Sequence, residues 1–480
     1  MKYCLLADGS PYLIHFLAKL THQMIKESDE CIVVGVGKIL EYNMRKKFPK
    51  DIKFLSKVDW CIENYKKDWR EFPGLSWRDF FSTFDRKTRD DNIDFNYKNS
   101  VEIISQFYQF FNSLFQKEKP DVVISEPPAN VFTQIAYRIS KRNNILYLGI
   151  IPSRFKDRID IYDLEYTCSV YEKDFRENPH IDILKEDEKE EVQDFEKKFI
   201  AHQQLPSYMG KKYYYGIKGF LRHWTDKTKF QSRIKYLLNR KKFKEFDHES
   251  EGIMWATFLL PYKDIKRKLR ILFQKNIYNS PNDDDIFFLF PLQLQPEAST
   301  SVLATYFSDQ LTTIKNIAFS LPFSYRLYVK EHPVAVGTRP GVFYKTLKKI
   351  PNVVLLSPYE NVENLIKKSK GVITLTSTVG MEAALSGKPV YVLGKVFYSY
   401  HPLCKKVDNF EELAERIKID LENPPILNNL KQVNRRFIIS YFKNTIKADV
   451  FTAYTKNDFN DYELIYRDIK RLISKLKSHE

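Results

Sequence analysis

Cysteine is scarce and badly placed for structural use. The five residues, Cys4, Cys31, Cys61, Cys168 and Cys404, are odd in number and widely spaced, with no C-x-x-C pair. That spacing argues against both a disulfide framework and a structural zinc site. Long apolar runs are missing as well: uncharged stretches such as Ile286–Pro296 and Gly371–Met381 are 11 residues each, short of the ~18–20 needed to span a bilayer. At the N-terminus, Asp8 and Pro11 interrupt the apolar run that a signal peptide requires. A cytoplasmic protein is expected, soluble or peripheral to a membrane. No repeat of 20–50 residues and no low-complexity tract appears.

What is present is core material. Of 480 residues, 43% are hydrophobic and 15% aromatic, which excludes intrinsic disorder. The length predicts two large domains. The 77 Lys and Arg outnumber 61 Asp and Glu, for a net charge of +16. That balance favours polyanionic partners: nucleic acid, an anionic membrane surface, or nucleotides and sugar acids.

Short β-rich runs alternate with helical patterns in the first half. Tyr3–Ala7, Cys31–Val36, Asp121–Ser125 and Ile145–Ile151 read as buried strands, with helices over Tyr12–Ile25, Val101–Lys117 and Asn130–Arg142. A second series begins after Asp283-Asp284-Asp285. It has strands over Ile286–Pro291, Tyr325–Lys330, Val353–Leu356, Gly371–Leu375 and Pro389–Leu393, and helices over Ser299–Ser320, Val362–Ser369, Gly380–Ser386 and Phe410–Leu421. Both series predict α/β domains built on doubly wound parallel sheets. The expected divisions are 1–260 with a basic helical insertion near 180–250, a linker over 261–285, a second domain over 286–430, and a helical segment over 431–480. Within the insertion, Lys211–Phe246 carries 12 Lys and Arg against two acids, interleaved with Tyr, Phe and Trp. It reads either as a solvated basic helix pair or as a surface for anionic lipid or glycan.

Ligands of open parallel sheets sit outside the carboxyl ends of the strands, so the residues following each strand are the candidates. In the second series these are Gln293 to Thr300, then Lys330-Glu331-His332-Pro333 with Arg339 nearby, then Thr376-Ser377-Thr378-Val379-Gly380-Met381-Glu382, and finally Gly394-Lys395. Small hydroxylated residues leading into a helix suit a phosphate; Ser377 or Thr378 could also simply cap the helix, but capping alone gives no reason for the Thr-Ser-Thr cluster followed by Gly380, so a phosphate contact is the preferred reading. Glu382 is a candidate for a ribose hydroxyl. His332, stopped by Pro333 at a strand end, is placed to donate to a leaving phosphate, with Lys330 and Arg339 adding positive field.

Gln295-Pro296, Lys330-Glu331-His332-Pro333 and the run Thr374–Tyr398 together resemble the bacterial capsule polysaccharide biosynthesis family, which includes β-Kdo transferases, over about residues 286–400. The resemblance implies a GT-B glycosyltransferase, two Rossmann-type domains facing a cleft, similar in fold to sialyl- and polysialyltransferases that use CMP-sugars. By that resemblance His332 and Ser377 or Thr378 contact the donor phosphate, and Gln295 lies near the nucleotide. The expected donor is a CMP-sugar, with Kdo or a related acidic sugar transferred to a lipid-linked or oligosaccharide acceptor. The acceptor belongs to the first domain. Contact with the inner face of the cytoplasmic membrane is expected, and neither a nucleic-acid partner nor a cofactor is.

The catalytic carboxylate is argued from position. Glu126 follows a strand and is held by Pro127-Pro128, while Asp8 follows another strand and precedes Gly9. Glu126 is preferred as base or nucleophile because its prolines fix its geometry. Ser153, Arg154 and Arg158 follow a further strand and would grip an anionic sugar or acceptor. Asp283-Asp284-Asp285 precedes a strand where a metal-binding D-x-D would follow one, so transfer without metal is expected. Two alternatives stay open: a UDP-sugar-dependent transferase or epimerase, and a non-catalytic protein that binds glycan or nucleic acid.

Overall fold

The computed structural model describes residues 1–7, 10–68, 71–90, 95–165, 167, 169–177, 184–200, 227–248, 260–274, 277–452 and 461–477. Two compact units emerge. The first comprises Met1–Val170, Leu205–Pro261 and Lys443–Glu480, and the second Tyr171–Gln204 and Tyr262–Phe442. Among the described residues the strands are Lys2–Ala7 (β1), Glu30–Gly35 (β2), Lys53–Ser56 (β3), Val122–Ser125 (β4), Leu146–Pro152 (β5), Arg158–Tyr162 (β6), Phe287–Pro291 (β7), Arg326–Lys330 (β8), Val353–Leu356 (β9), Val372–Thr374 (β10), Val390–Val392 (β11), Cys404–Lys406 (β12) and Ile446–Lys447 (β13).

The first unit holds a seven-stranded sheet in the order β13-β6-β5-β4-β1-β2-β3. Strands β1 to β5 run parallel; β6 is antiparallel to β5, and β13 to β6. β1 sits centrally because its residues Cys4–Ala7 are apolar on both faces, and all are buried. Its helices include Pro11–Lys26 (α1), Lys38–Met44 (α2), Lys57–Asn64 (α3), Trp77–Asp90 (α4), Tyr97–Glu118 (α5) and Val131–Arg142 (α6). α5 lays Phe107, Phe110, Phe111, Leu114 and Phe115 on one face at helical spacing, and these form the core with Phe132 of α6. α6 starts where Asn130 and Thr133 form a reciprocal capping box. The order 3-2-1-4-5 places a topological switch between β1 and β4, at the strand ends followed by Asp8 and Glu126.

The second unit is a six-stranded, wholly parallel sheet in the order β12-β11-β10-β7-β8-β9. Its switch point lies between β7 and β10. The expected doubly wound α/β class is what both units show, and five of the six strands here were legible in the sequence. The single helix expected over Ser299–Ser320 is instead three pieces: Ala298–Ser301, a 3₁₀ turn at Thr305–Phe307, and Gln310–Ser320. The break has a local cause. Asp309 accepts from the backbone N–H groups of Leu311 and Thr312 and from the Thr312 hydroxyl at 2.6 Å, so it caps a new helix.

The unit boundaries also differ from those expected. The stretch expected as a linker over 261–285 contains the helix Leu260–Phe273 and belongs almost wholly to the second unit. The C-terminal segment divides: helix Leu430–Phe442 stays with the second unit, whereas β13 and helix Tyr462–Lys477 return to the first. There Lys470 pairs with Asp29 at 2.9 Å and the Tyr466 hydroxyl donates to Asp29 at 2.5 Å, which fixes the helix beside α1.

Candidate active site

At the carboxyl edge of the second sheet three strand-end segments meet on Gln293, two residues past β7. Its backbone N–H donates to the Gln310 side-chain oxygen at 2.8 Å. Gln310 Nε2 returns a hydrogen bond to the Gln293 carbonyl at 3.1 Å and reaches the Gln295 side chain at 3.2 Å. Arg339, from beyond β8, also donates to the Gln293 carbonyl. Thr376, from beyond β10, donates to the Ser299 carbonyl at 3.0 Å and lies 3.4 Å from Gln293 Oε1. Gln310 was not anticipated from the sequence. It reaches the site only because the expected helix breaks at Asp309, and the Ser308-Asp309 pair is the signal that would have shown it. The Gln295–Pro296 peptide bond is cis.

Glu331 is buried, and a buried carboxylate must be matched by donors. It accepts from the His332 backbone N–H at 2.6 Å, the Arg339 guanidinium at 2.5 Å and the Tyr344 hydroxyl at 2.5 Å. Glu331 and Arg339 are thus placed as the brace of the loop. Lys330 is buried too, donating to the Pro358 carbonyl at 2.7 Å, and burial pushes its pKa down. His332 Nδ1 accepts from the Val334 N–H at 3.2 Å, so the neutral ring carries its proton on Nε2. Burial, with the Arg339 and Lys330 charges, pushes its pKa down to about 4. His332 is therefore neutral at pH 7 and offers an N–H as a hydrogen-bond donor.

After β10, Ser377 caps the helix Thr378–Leu385 by accepting from the Val379 N–H at 3.2 Å. The capping role is thus present, at a helix N-terminus on the ligand edge of the sheet. Gly380 has a packing reason of its own: a Cβ there would lie 2.5 Å from the Tyr398 hydroxyl, which donates to the Ser377 carbonyl. Glu382 is half-buried, and its charge acts on Lys330. Lys395 is exposed, its backbone N–H bonded to the Leu303 carbonyl at 2.9 Å. Pro333 opens the 3₁₀ turn that His332 caps.

In the first unit Glu126 stands half-buried just beyond β4. The Tyr12 hydroxyl donates to its carboxylate at 2.6 Å, and the Tyr147 hydroxyl to its carbonyl at 2.8 Å. Pro127 packs so tightly on Gly149 that a Cβ at Gly149 would come within 2.9 Å of it. Asp8 lies outside the described residues. Ser153, Arg154 and Arg158 prove to belong to one hairpin, because β6, unforeseen, folds back on β5. Ser153 is buried and accepts from the Phe155 N–H at 3.2 Å. Arg158 is buried within β6, 3.2 Å from the Thr445 hydroxyl, a position that does not offer it to an acceptor as expected. Arg154, at the hairpin tip, lies 3.7 Å from buried Asp160.

Much of Lys211–Phe246 lies outside the described residues. In the part described, Tyr236 and Phe243 stack and pack with Val58 in a small core of the first unit, so these two rings are structural. Asp283 pairs with Lys368 at 2.6 Å, and Asp285 with Arg326 at 3.2 Å. Among the described residues no group of three or more His, Cys, Asp or Glu is placed to hold a metal ion, and no helix is long and apolar enough to cross a membrane.

No curated protein matches the chain. Among solved structures it is similar to the β-Kdo 2,7 transferase KpsC of Thermosulfurimonas dismutans, at 12% identity over 80% of this chain and 98% of that one, TM-score 0.33. It is also similar to the β-Kdo 2,4 transferase of the same organism, at 13% identity over 66% and 80%, TM-score 0.35. A third is the UDP-GlcNAc 2-epimerase of Neisseria meningitidis, at 12% identity over 99% and 100%, TM-score 0.26. At TM-scores this low the likenesses assign no residue a role. The family description "Capsule polysaccharide biosynthesis protein" matches residues 225–420. That span contains Gln293, Gln310, His332, Arg339 and Ser377, so the edge just described is the part of the chain in which the capsule polysaccharide biosynthesis family is found.

Proposed function

We propose that this protein is a glycosyltransferase of capsule polysaccharide biosynthesis that moves an acidic sugar such as Kdo from a CMP-sugar to a glycan acceptor. The observation that carries the proposal is the convergence on Gln293 of three strand-end segments at a switch point, within the span that matches the capsule family. Gln295 would lie by the nucleotide, and His332 and the Ser377 helix start by the phosphate. As the acceptor oxygen bonds to the anomeric carbon, a carboxylate of the first unit, Glu126 in preference to Asp8, takes the hydroxyl proton. The carbon–oxygen bond to phosphate breaks with its electron pair leaving on the phosphate, which His332 Nε2–H and the helix N-terminus stabilise.

The GT-B arrangement expected from the sequence belongs to this proposal, as do an acceptor that is lipid-linked and a location at the inner face of the cytoplasmic membrane. Because the site supplies its own donors to the phosphate, transfer is expected to persist in EDTA. A thermal-shift series with CMP, CDP, UMP, UDP and GDP tests the donor. A nucleotide at 100 times its dissociation constant stabilises by ~2.7 kcal/mol, and CMP is expected to do so. A shift with UDP and none with CMP replaces the CMP-sugar by a UDP-sugar, and no shift with any of the five overturns the proposal.

A further inference from the structure

Helix Leu260–Phe273 is turned inside out. An amphipathic helix on a protein surface buries its apolar stripe and exposes its charges; this one directs Arg267 and Arg270 at its own unit, and Tyr262, Ile265, Leu269 and Leu272 at water. Arg267 donates to the carbonyls of Val336 at 2.9 Å and Val334 at 2.8 Å, and Arg270 to that of Thr338 at 2.5 Å. Gln274, just past the helix, donates to the Arg339 carbonyl at 3.1 Å. Gly337, at φ +76°, lets the helix come so close that a Cβ there would lie 2.7 Å from the Arg267 carbonyl and from the Ile271 side chain. These contacts fix the helix's rotation about its axis.

The opposite face follows from that rotation. Tyr262, Ile265, Leu269 and Leu272 recur at spacings of three and four, so they share one stripe, and they are 57%, 59%, 50% and 60% exposed. At 100° per residue Lys266 and Lys268 fall on either side of the stripe, and both are exposed. Lys266 Nζ lies 5.5 Å from the Tyr262 ring centre. Over its whole length the helix carries five Lys and Arg against one acid, Asp264.

We propose that this stripe is a membrane-docking surface, its apolar side chains entering the acyl boundary of a bilayer and Lys266 and Lys268 meeting anionic headgroups. An apolar ridge flanked by lysines, with a tyrosine among its members, is the chemistry an anionic lipid surface accommodates. A protein partner is the poorer fit, since four residues on a convex ridge compare with roughly 20–30 per side in a standard interface. The carbonyls that seat the helix belong to residues 334–339, the segment that follows His332, so the docking surface and the His332 loop share one support. The inference rests on the proposed function only for the location of the lipid.

Co-sedimentation of the full chain with vesicles of phosphatidylcholine, alone or with phosphatidylglycerol, tests it without any sugar transfer. The unaltered chain is expected to partition onto the anionic vesicles. A triple variant, Ile265→Ser, Leu269→Ser and Leu272→Ser, should lose at least about tenfold in partitioning while melting no lower than the parent, because the altered side chains are already exposed. Lys266→Glu with Lys268→Glu should abolish the preference for anionic over neutral vesicles. The proposal is overturned if the parent ignores the vesicles, or if the triple variant binds as the parent does. It is equally overturned if the parent is a dimer without lipid that the triple variant dissociates, which would make the stripe a self-association surface. Since nucleotide binding enters none of these readouts, vesicle binding and the proposed transfer stand or fall separately.

Discussion

The two sheets end in edges of different construction. In the second unit Gln293 is held from three directions, and Glu331, Arg339, Tyr344 and Gln310 are buried or nearly so around it. In the first unit Glu126 has its carboxylate on one tyrosine hydroxyl, with prolines behind it. Buried polar networks cost stability when incomplete and specify a single geometry when complete. Under the proposed function, the braced edge would hold the nucleotide, a ligand of constant shape, and the lightly tied carboxylate would exchange a proton with the acceptor.

That contrast is broken or sharpened most directly by removing one side chain from each edge. His332→Ala is expected to lower transfer on the order of 10²–10⁴-fold and to weaken donor binding as well, with the fold intact. Glu126→Gln keeps volume and hydrogen-bonding reach; it should lower turnover by a comparable factor while leaving the thermal shift by CMP unchanged. Asp8→Asn is the matched control. If it abolishes transfer and Glu126→Gln does not, the base is Asp8, and if Glu126→Gln loses donor binding in step with turnover, the division of labour between the edges is wrong.

A second pair of variants compares the bracing itself. Arg339→Ala leaves Glu331 buried without its cationic partner, a change that typically costs about 3–5 kcal/mol. It also removes one of the two donors to the Gln293 carbonyl and leaves Gln310 as the other, so the donor KM should rise. Tyr12→Phe removes one hydrogen bond from a half-exposed carboxylate, worth about 1 kcal/mol, and should leave donor KM alone. Equal losses in chemical denaturation would show that the two edges are built alike after all.

Periodicity made the sheets legible. Runs such as CIVVGV, VVLL and GVITL are apolar on both faces and had no other reading than buried parallel strands, and the candidate site followed from where those strands stop. What stayed hidden had physical reasons. β6 reads RIDIY, and its Arg158 and Asp160 disguise a buried strand because their charges are met inside the fold, by Thr445, Arg154 and Tyr162. Gln310 was lost when Asp309, a cap, was read as an ordinary residue within a helix. Leu260–Phe273 passed for a linker because its basic side chains and apolar side chains are exchanged relative to the usual pattern. Gly380 was read as evidence for phosphate, and Tyr398, distant in sequence, supplies its packing reason. Glu331 shows the same limit: only the folded loop reveals that its donors are Arg339, Tyr344 and its neighbour's N–H.

The smallest expected effect separates the units by acid sensitivity. Burial pushes the pKa of His332 and of His401, both in the second unit, down to about 4, and that of His248, in the first, down to about 3. Each folded value lies below the unfolded one near 6.5, so the fold favours the neutral ring. The stabilisation is complete above about pH 6.5 and is lost as pH falls through 6.5 toward 4, at a slope that cannot exceed about 1.4 kcal/mol per pH unit per histidine. Glu41 and Glu196, whose carboxyl pKa values burial raises, act in the opposite sense, so the raw pH profile mixes signs and a variant must isolate one group. His401 is 3.1 Å from the Asn434 side-chain oxygen, and Asn434 in turn donates to the Leu385 carbonyl at the far end of the helix that Ser377 caps. His401→Gln should therefore flatten the decline of the denaturation midpoint between pH 6.5 and 5 while leaving the CMP shift at pH 7 in place. His248→Gln should do the same for the first unit. For His332 the corresponding readout is catalytic: kcat/KM for a CMP-sugar should show no inflection at 6.5 assignable to this residue, because the ring works as a neutral donor. An inflection near 6.5 that disappears in His332→Gln would mean that the charged imidazolium does the work.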